Sequence, residues 1–170
     1  MSHYAIIVLT DGNKSVEELL APYDENTQVP EYEKECYCAT HYIDYKCDEC
    51  DGNGVAKTVY NPKSKWDWYE EGGRWNNYLF EHMPNYSWNE KYPTQGNRVV
   101  AEELLDIIQN EDNKIPFAFV TPDGEWHSIG KMGWFGSSRD DISEDEWKRR
   151  VIELLRSNID TIGVVMDLHI

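Results

Sequence analysis

The chain has 170 residues, a formal net charge of −16 and 13% aromatic residues. Its length suits a single domain with a sizeable core, expected to run over 1–170. Acidity of this size excludes direct nucleic-acid binding, which needs a basic footprint. No run approaches the ~18 apolar residues of a membrane span. Nothing at the N-terminus reads as a secretion signal, so a cytoplasmic, reducing location is expected.

His3 to Thr10 reads as a strand with apolar residues on both faces, hence a central one covered from both sides. Ser15 and Glu18 form a capping box for a short helix that Pro22 ends. Tyr23 to Glu35 is acidic, lacks a period and reads as loop; residues 17–51 hold eleven acids against two bases. Val55 to Tyr60 is a candidate strand, and Met83 to Gly96, broken by Pro84 and Pro93, reads as loop. From Arg98, apolar residues at Val100, Leu104, Ile107 and Ile108 recur at helical spacing up to Asn110. Ile115 to Thr121 and Glu125 to Met132 read as strands joined by the turn Thr121-Pro122-Asp123-Gly124. Gly133 to Gly136 is an aromatic loop carrying Trp134. Ser143 with Glu146 is a second capping box, opening a helix whose buried stripe is Trp147, Val151, Leu154 and Leu155. Thr161 to Ile170 is a closing strand with Asp167 and His169 on one face.

The order strand, helix, strand, strand, helix, strand predicts an α+β fold, a ferredoxin-like split βαβ antiparallel sheet. A long insertion over 11–97 follows the first strand. The final strand should pair with the first. The insertion should cover the open face and bring its tryptophans against Asp167 and His169.

All four cysteines, Cys36, Cys38, Cys47 and Cys50, lie within fifteen residues in two close pairs. Such pairs build a tetrahedral thiolate site, so a structural zinc knuckle is expected over 36–54. Cys47 to Gly54 resembles the Cys-x-x-Cys-x-Gly-x-Gly unit of zinc-binding chaperone modules, in which glycines turn backbone amides toward the sulfurs. The first pair lacks one spacer and both glycines, which makes His41 a possible substitute ligand. Disulfides are the competing reading, disfavoured in a reducing compartment.

The aromatic motif over 65–80 holds three of the seven tryptophans. Trp66, Trp68 and Trp75, with Tyr69, form either a recognition wall or a satellite core. Asp67 and Arg74 are expected to grip a polar ligand or to pair with each other. Asp167 and His169, two apart on a strand, are candidates for an acid–base pair. Glu31, Glu33 and Glu35 make an acidic face. There is no nucleophile elbow, phosphate-cradling loop or zincin pattern.

The N-terminal Met-Ser-His-Tyr strand, Leu20 to Asn26, Lys65 to Trp75, Gly133 to Gly136 and Asp167 to Ile170 together resemble a family of phage- and prophage-encoded proteins. The specific element is Trp-Asp-Trp-Tyr-x-x-Gly-Gly-Arg-Trp. The resemblance implies a protein acting inside an infected bacterial cell and supplies context rather than chemistry. Two functions are expected from it and from the residues. One is an acidic, anti-CRISPR-like inhibitor that occupies a basic nucleic-acid-binding surface of a host protein without turnover. The other is a small-molecule protein that sequesters or hydrolyses a nucleotide-like signal, provided Arg74 and Arg98 converge on its phosphates.

Overall fold

A computed structural model describes residues 2–38, 47–79, 96–132 and 138–170. His41, Trp134 and most of the loop expected over Met83 to Gly96 lie outside these residues. The described residues form a mixed α+β structure with three α-helices and a six-stranded sheet. None of the helices is long and apolar enough to cross a membrane.

β1 (His3–Thr10) and β10 (Ile162–His169) pair antiparallel along their full length, from His3 opposite His169 to Thr10 opposite Ile162. Both are buried on both faces, which is why their sequences alternate between two apolar sets. On the other side of β1 lies β6 (Ala118–Val120), parallel to it, and then β7 (Trp126–Ser128) at the far edge. The split order is therefore corrected: it would have put the returning hairpin strand beside β1. Burial explains the difference, because all three β6 residues are buried whereas β7 is only half-buried and suits an edge.

The opposite edge is one strand in two pieces. β4 (Trp68–Glu71) pairs with the end of β10, from His169 opposite Trp68 to Met166 opposite Glu71. β5 (Arg98–Val100) pairs with its start, Val164 lying opposite Arg98. Val165 joins the two, accepting from the Gly72 amide at 2.9 Å and donating to the Asn97 carbonyl at 2.8 Å. The chain thus leaves the sheet edge after Gly72 and rejoins it at Asn97. The Arg98 guanidinium bridges the break, holding both Glu71 carboxylate oxygens at 2.8 and 2.9 Å. The helical period expected from Arg98 is corrected accordingly: β5 ends at Val100 and α2 begins at Ala101.

α2 (Ala101–Asn110) and α3 (Glu144–Ser157) cover one sheet face, burying Leu104, Ile107, Ile108, Trp147, Val151 and Leu155 against Ile7, Leu9 and Val165. Ser143 caps α3 by accepting from the Glu146 amide, but the Glu146 carboxylate turns to Arg149 and Arg150. At Ser15 both halves of the capping box are present, opening α1 (Val16–Leu20). Leu19, Leu20, Tyr23 and Trp66 close the second face over Tyr4, Ile6, Val8 and Met166. The insertion does cover the open face, as its two-sided strands required.

The segment Tyr23 to Glu35, expected as loop, contains β2 (Tyr32–Glu35), which pairs antiparallel with β3 (Val55–Thr58) in a separate two-stranded sheet. Its exposed alternation left no apolar period to read. Glu125 to Met132 is likewise broken: Gly130–Met132 forms β8, paired with β9 (Ser138–Asp140), and not a continuation of β7.

Candidate functional site

Two clusters carry chemistry. The first closes the β2–β3 hairpin, where the Sγ atoms of Cys36, Cys38, Cys47 and Cys50 all lie within 4.8 Å of one another. Cys36 and Cys47 are 3.7 Å apart, and Cys38 and Cys50 are 3.2 Å apart. Thiolates about 2.3 Å from one tetrahedral ion are spaced by about 3.8 Å, so this donor set fits a metal. Asp51, Gly52 and Gly54 have positive φ, which curls the chain after Cys50. The Cys38 thiol, then the Gly54 and Gly52 amides, hold the Cys50 thiol down at about 7, while the same contact with Cys50 pushes the Cys38 thiol up. Apart from the sulfurs, the cluster's apolar filling is Ala56. With so small a core, a metal held by the four sulfurs would be the main tie across the hairpin.

The second cluster stands at the end of the main sheet where β1 begins and β10 finishes. Three residues align across three strands: His3 on β1, His169 on β10 and Trp68 on β4. The His3 and His169 ring centroids are 4.9 Å apart, and Trp68 is 6.0 Å from His3. Each histidine is held through Nδ1 by a carboxylate. His3 donates to Asp167 Oδ1 at 2.9 Å, and His169 donates to Asp67 Oδ1 at 2.5 Å. An ionised carboxylate only accepts, so the contact fixes the Nδ1–H tautomer and leaves Nε2 as the free position on each ring. No hydrogen bond joins either Nε2 to another described residue, and the His3 and His169 side chains are 15% and 14% exposed.

Asp167 is 1% exposed and takes its second hydrogen bond from the Arg74 amide, at 2.9 Å to Oδ2. Gly72 and Gly73 permit that approach with φ of +72° and +47°. A Cβ on Gly73 would stand 2.6 Å from the Asp167 side chain. Gly73→Ala should therefore displace Asp167 and lower the melting temperature by more than a surface substitution would, and a thermal melt checks it. Behind the turn, Tyr78 donates to the Asn113 carbonyl at 2.8 Å, and Lys114 donates to the Tyr78 carbonyl. Burial pushes the Tyr78 hydroxyl up to about 12, so it remains a donor at neutral pH.

The structure brings the aromatic run to Asp167 and His169 along the sheet edge, while its Trp66 and Tyr69 reach onto the open face. It also divides the run. Trp66 is core, 8% exposed, donating to the Leu20 carbonyl at 3.2 Å and meeting Tyr69 edge-on at 4.9 Å. Trp75 packs against the helix-side core, whereas Trp68 is 47% exposed. Asp67 pairs with His169 and not with Arg74, and Asp167 pairs with His3 and not with His169. Arg98 is engaged by Glu71, which lowers the acid and raises the base, so it does not join Arg74. Glu33 and Glu35 are exposed on β2, while Glu31 meets Lys57 at 3.0 Å. His3 was missed by sequence reading because it appeared only as the first residue of a strand; its register opposite His169 was the signal.

The chain matches no protein-family model, and no curated protein or solved structure is significantly similar to it.

Proposed function

We propose that the protein binds a small, flat, polar ligand at the His3–His169–Trp68 row, sequestering or hydrolysing a nucleotide-like signal in a phage-infected bacterial cell. The observation that carries this reading is the pairing of two carboxylate-held, partly exposed imidazoles beside an exposed indole. An indole face stacks on a planar ring with little sequence or ring preference, and the imidazoles supply directional polar contacts. Arg74, whose backbone amide reaches Asp167, carries a permanent charge on the adjoining turn. The four thiolates are proposed to hold a structural zinc, since four cysteines close its coordination sphere and leave no position for substrate.

The test is a tryptophan-fluorescence titration of the purified protein with a nucleotide panel, alongside mass spectrometry of molecules released on denaturation. A bound nucleotide-like species, lost in Trp68→Ala protein of unchanged melting temperature, is the expected result.

A second reading, the acidic inhibitor of a host nucleic-acid-binding protein, is favoured by the exposed Glu33 and Glu35 on a hairpin outside the main sheet. Reversing Glu31, Glu33 and Glu35 to lysine should weaken that association and leave ligand binding untouched.

A further inference from the structure

We infer that His3 and His169 are the general acid and general base of a hydrolase that cleaves a phosphodiester carrying a nucleobase. This rests on the small-ligand reading above and assigns its chemistry. The two histidines lie directly opposite each other on one sheet face with ring centroids 4.9 Å apart, and both are oriented at Nδ1 by a carboxylate. The two rings meet edge-on, and a neutral imidazole can take a proton at Nε2 while a protonated one gives a proton up, which is the pairing acid–base catalysis uses. The charged groups around them are Asp167 and Asp67 at Nδ1, Glu70 opposite Asp167 in register, and Arg74 at the adjoining turn.

The chemistry follows from these groups. Neutral Nε2 removes a proton from water as its oxygen bonds to phosphorus. The bond from phosphorus to the leaving oxygen breaks, and the imidazolium Nε2–H protonates that oxygen. The products are a phosphomonoester and an alcohol, and proton exchange with solvent restores the two rings. Charge sets the substrate class. Arg98 is taken by Glu71, so an incoming anion meets the two imidazoles and the turn that carries Arg74, against the carboxylates and a net charge of −16. Such a site suits the single charge of each diester linkage and disfavours a triphosphate. Trp68, in line with both histidines, is the platform for the base.

The experiment incubates full-length metal-loaded protein, with magnesium omitted, with cyclic di-AMP, 3′,5′-cyclic AMP and the dinucleotide ApA, and follows phosphomonoester formation by phosphorus NMR. At least one probe should be cleaved, with a bell-shaped pH dependence of kcat. His3→Ala and His169→Ala should each lower kcat by about 10²-fold or more, remove one limb of the bell and leave KM nearly unchanged. Arg74→Ala should instead raise KM. If an alanine variant fails to fold, Asp67→Asn, at a half-exposed position, should still lower kcat and displace one limb, which a merely structural role would not do. Binding without cleavage would overturn the acid–base pair and leave the sequestering reading standing. Undiminished cleavage in either folded histidine variant would overturn the pair but not the ligand site. Neither binding nor cleavage would overturn both.

Discussion

Cys50→Ser protein should purify without its metal and with the β2–β3 hairpin open to protease, while the six-stranded sheet still melts as a cooperative unit. The size of the effect follows from how little else holds the hairpin. Its buried apolar content beyond the sulfurs is Ala56, and β2 exposes three of its four residues. A structural zinc contributes on the order of 10–16 kcal/mol of apparent binding energy in small zinc modules, far above what an isolated two-stranded ribbon supplies. Removing one thiolate, or the metal by chelation, removes that term. The main sheet does not depend on it, because its two cores are built from β1, β6, β10, the helices and Trp66. Metal analysis with limited proteolysis reads both parts. A full metal complement in the serine variant, or cleavage spread evenly over the chain, would contradict the assignment.

Trp66→Ala and Trp68→Ala should behave oppositely although only Asp67 separates them. Trp66 fills the second core and donates its indole N–H to Leu20, so truncation leaves a cavity and an unpaired carbonyl. The expected cost is about 3–5 kcal/mol, and for a domain of this size roughly 2–4 °C of melting temperature accompanies each kcal/mol. Trp68, nearly half exposed, should cost less than about 1 kcal/mol while abolishing ligand binding. Equal losses in the two melting curves would mean that the aromatic run is one core and that Trp68 is no recognition surface. The comparison also protects the functional tests, since it separates loss of binding from loss of fold.

The elements legible in the chain were those whose signal is local. β1 and β10 announced themselves because alternating apolar residues on two faces require burial on both sides. Ser15 and Ser143 marked helix starts because a cap acts within three residues. Four cysteines in fifteen residues marked the candidate metal donor set, since two close pairs are how a tetrahedral thiolate site is built. β2 escaped notice because an exposed ribbon has no apolar period. The α2 boundary was misplaced because Val100 fits a helical stripe and a strand equally well.

The candidate site was readable only in its ingredients. Asp67 was singled out for Arg74, and Asp167 for His169, from proximity in sequence. The contacts observed instead join residues 102 and 164 positions apart. They arise because β10 pairs with β1 on one side and with β4 on the other, which places His3, His169 and Trp68 in one row. A register shift of one residue would turn His169 to the opposite face, so its partners depend on strand pairing that no local pattern encodes. The sequence by itself determined which residues must be buried, where helices begin and which thiols cluster, because those follow from composition and short-range spacing. Tertiary structure alone decided which carboxylate orients which histidine and which tryptophan stays in contact with water, because these depend on long-range register and on the turn through Gly72 and Gly73.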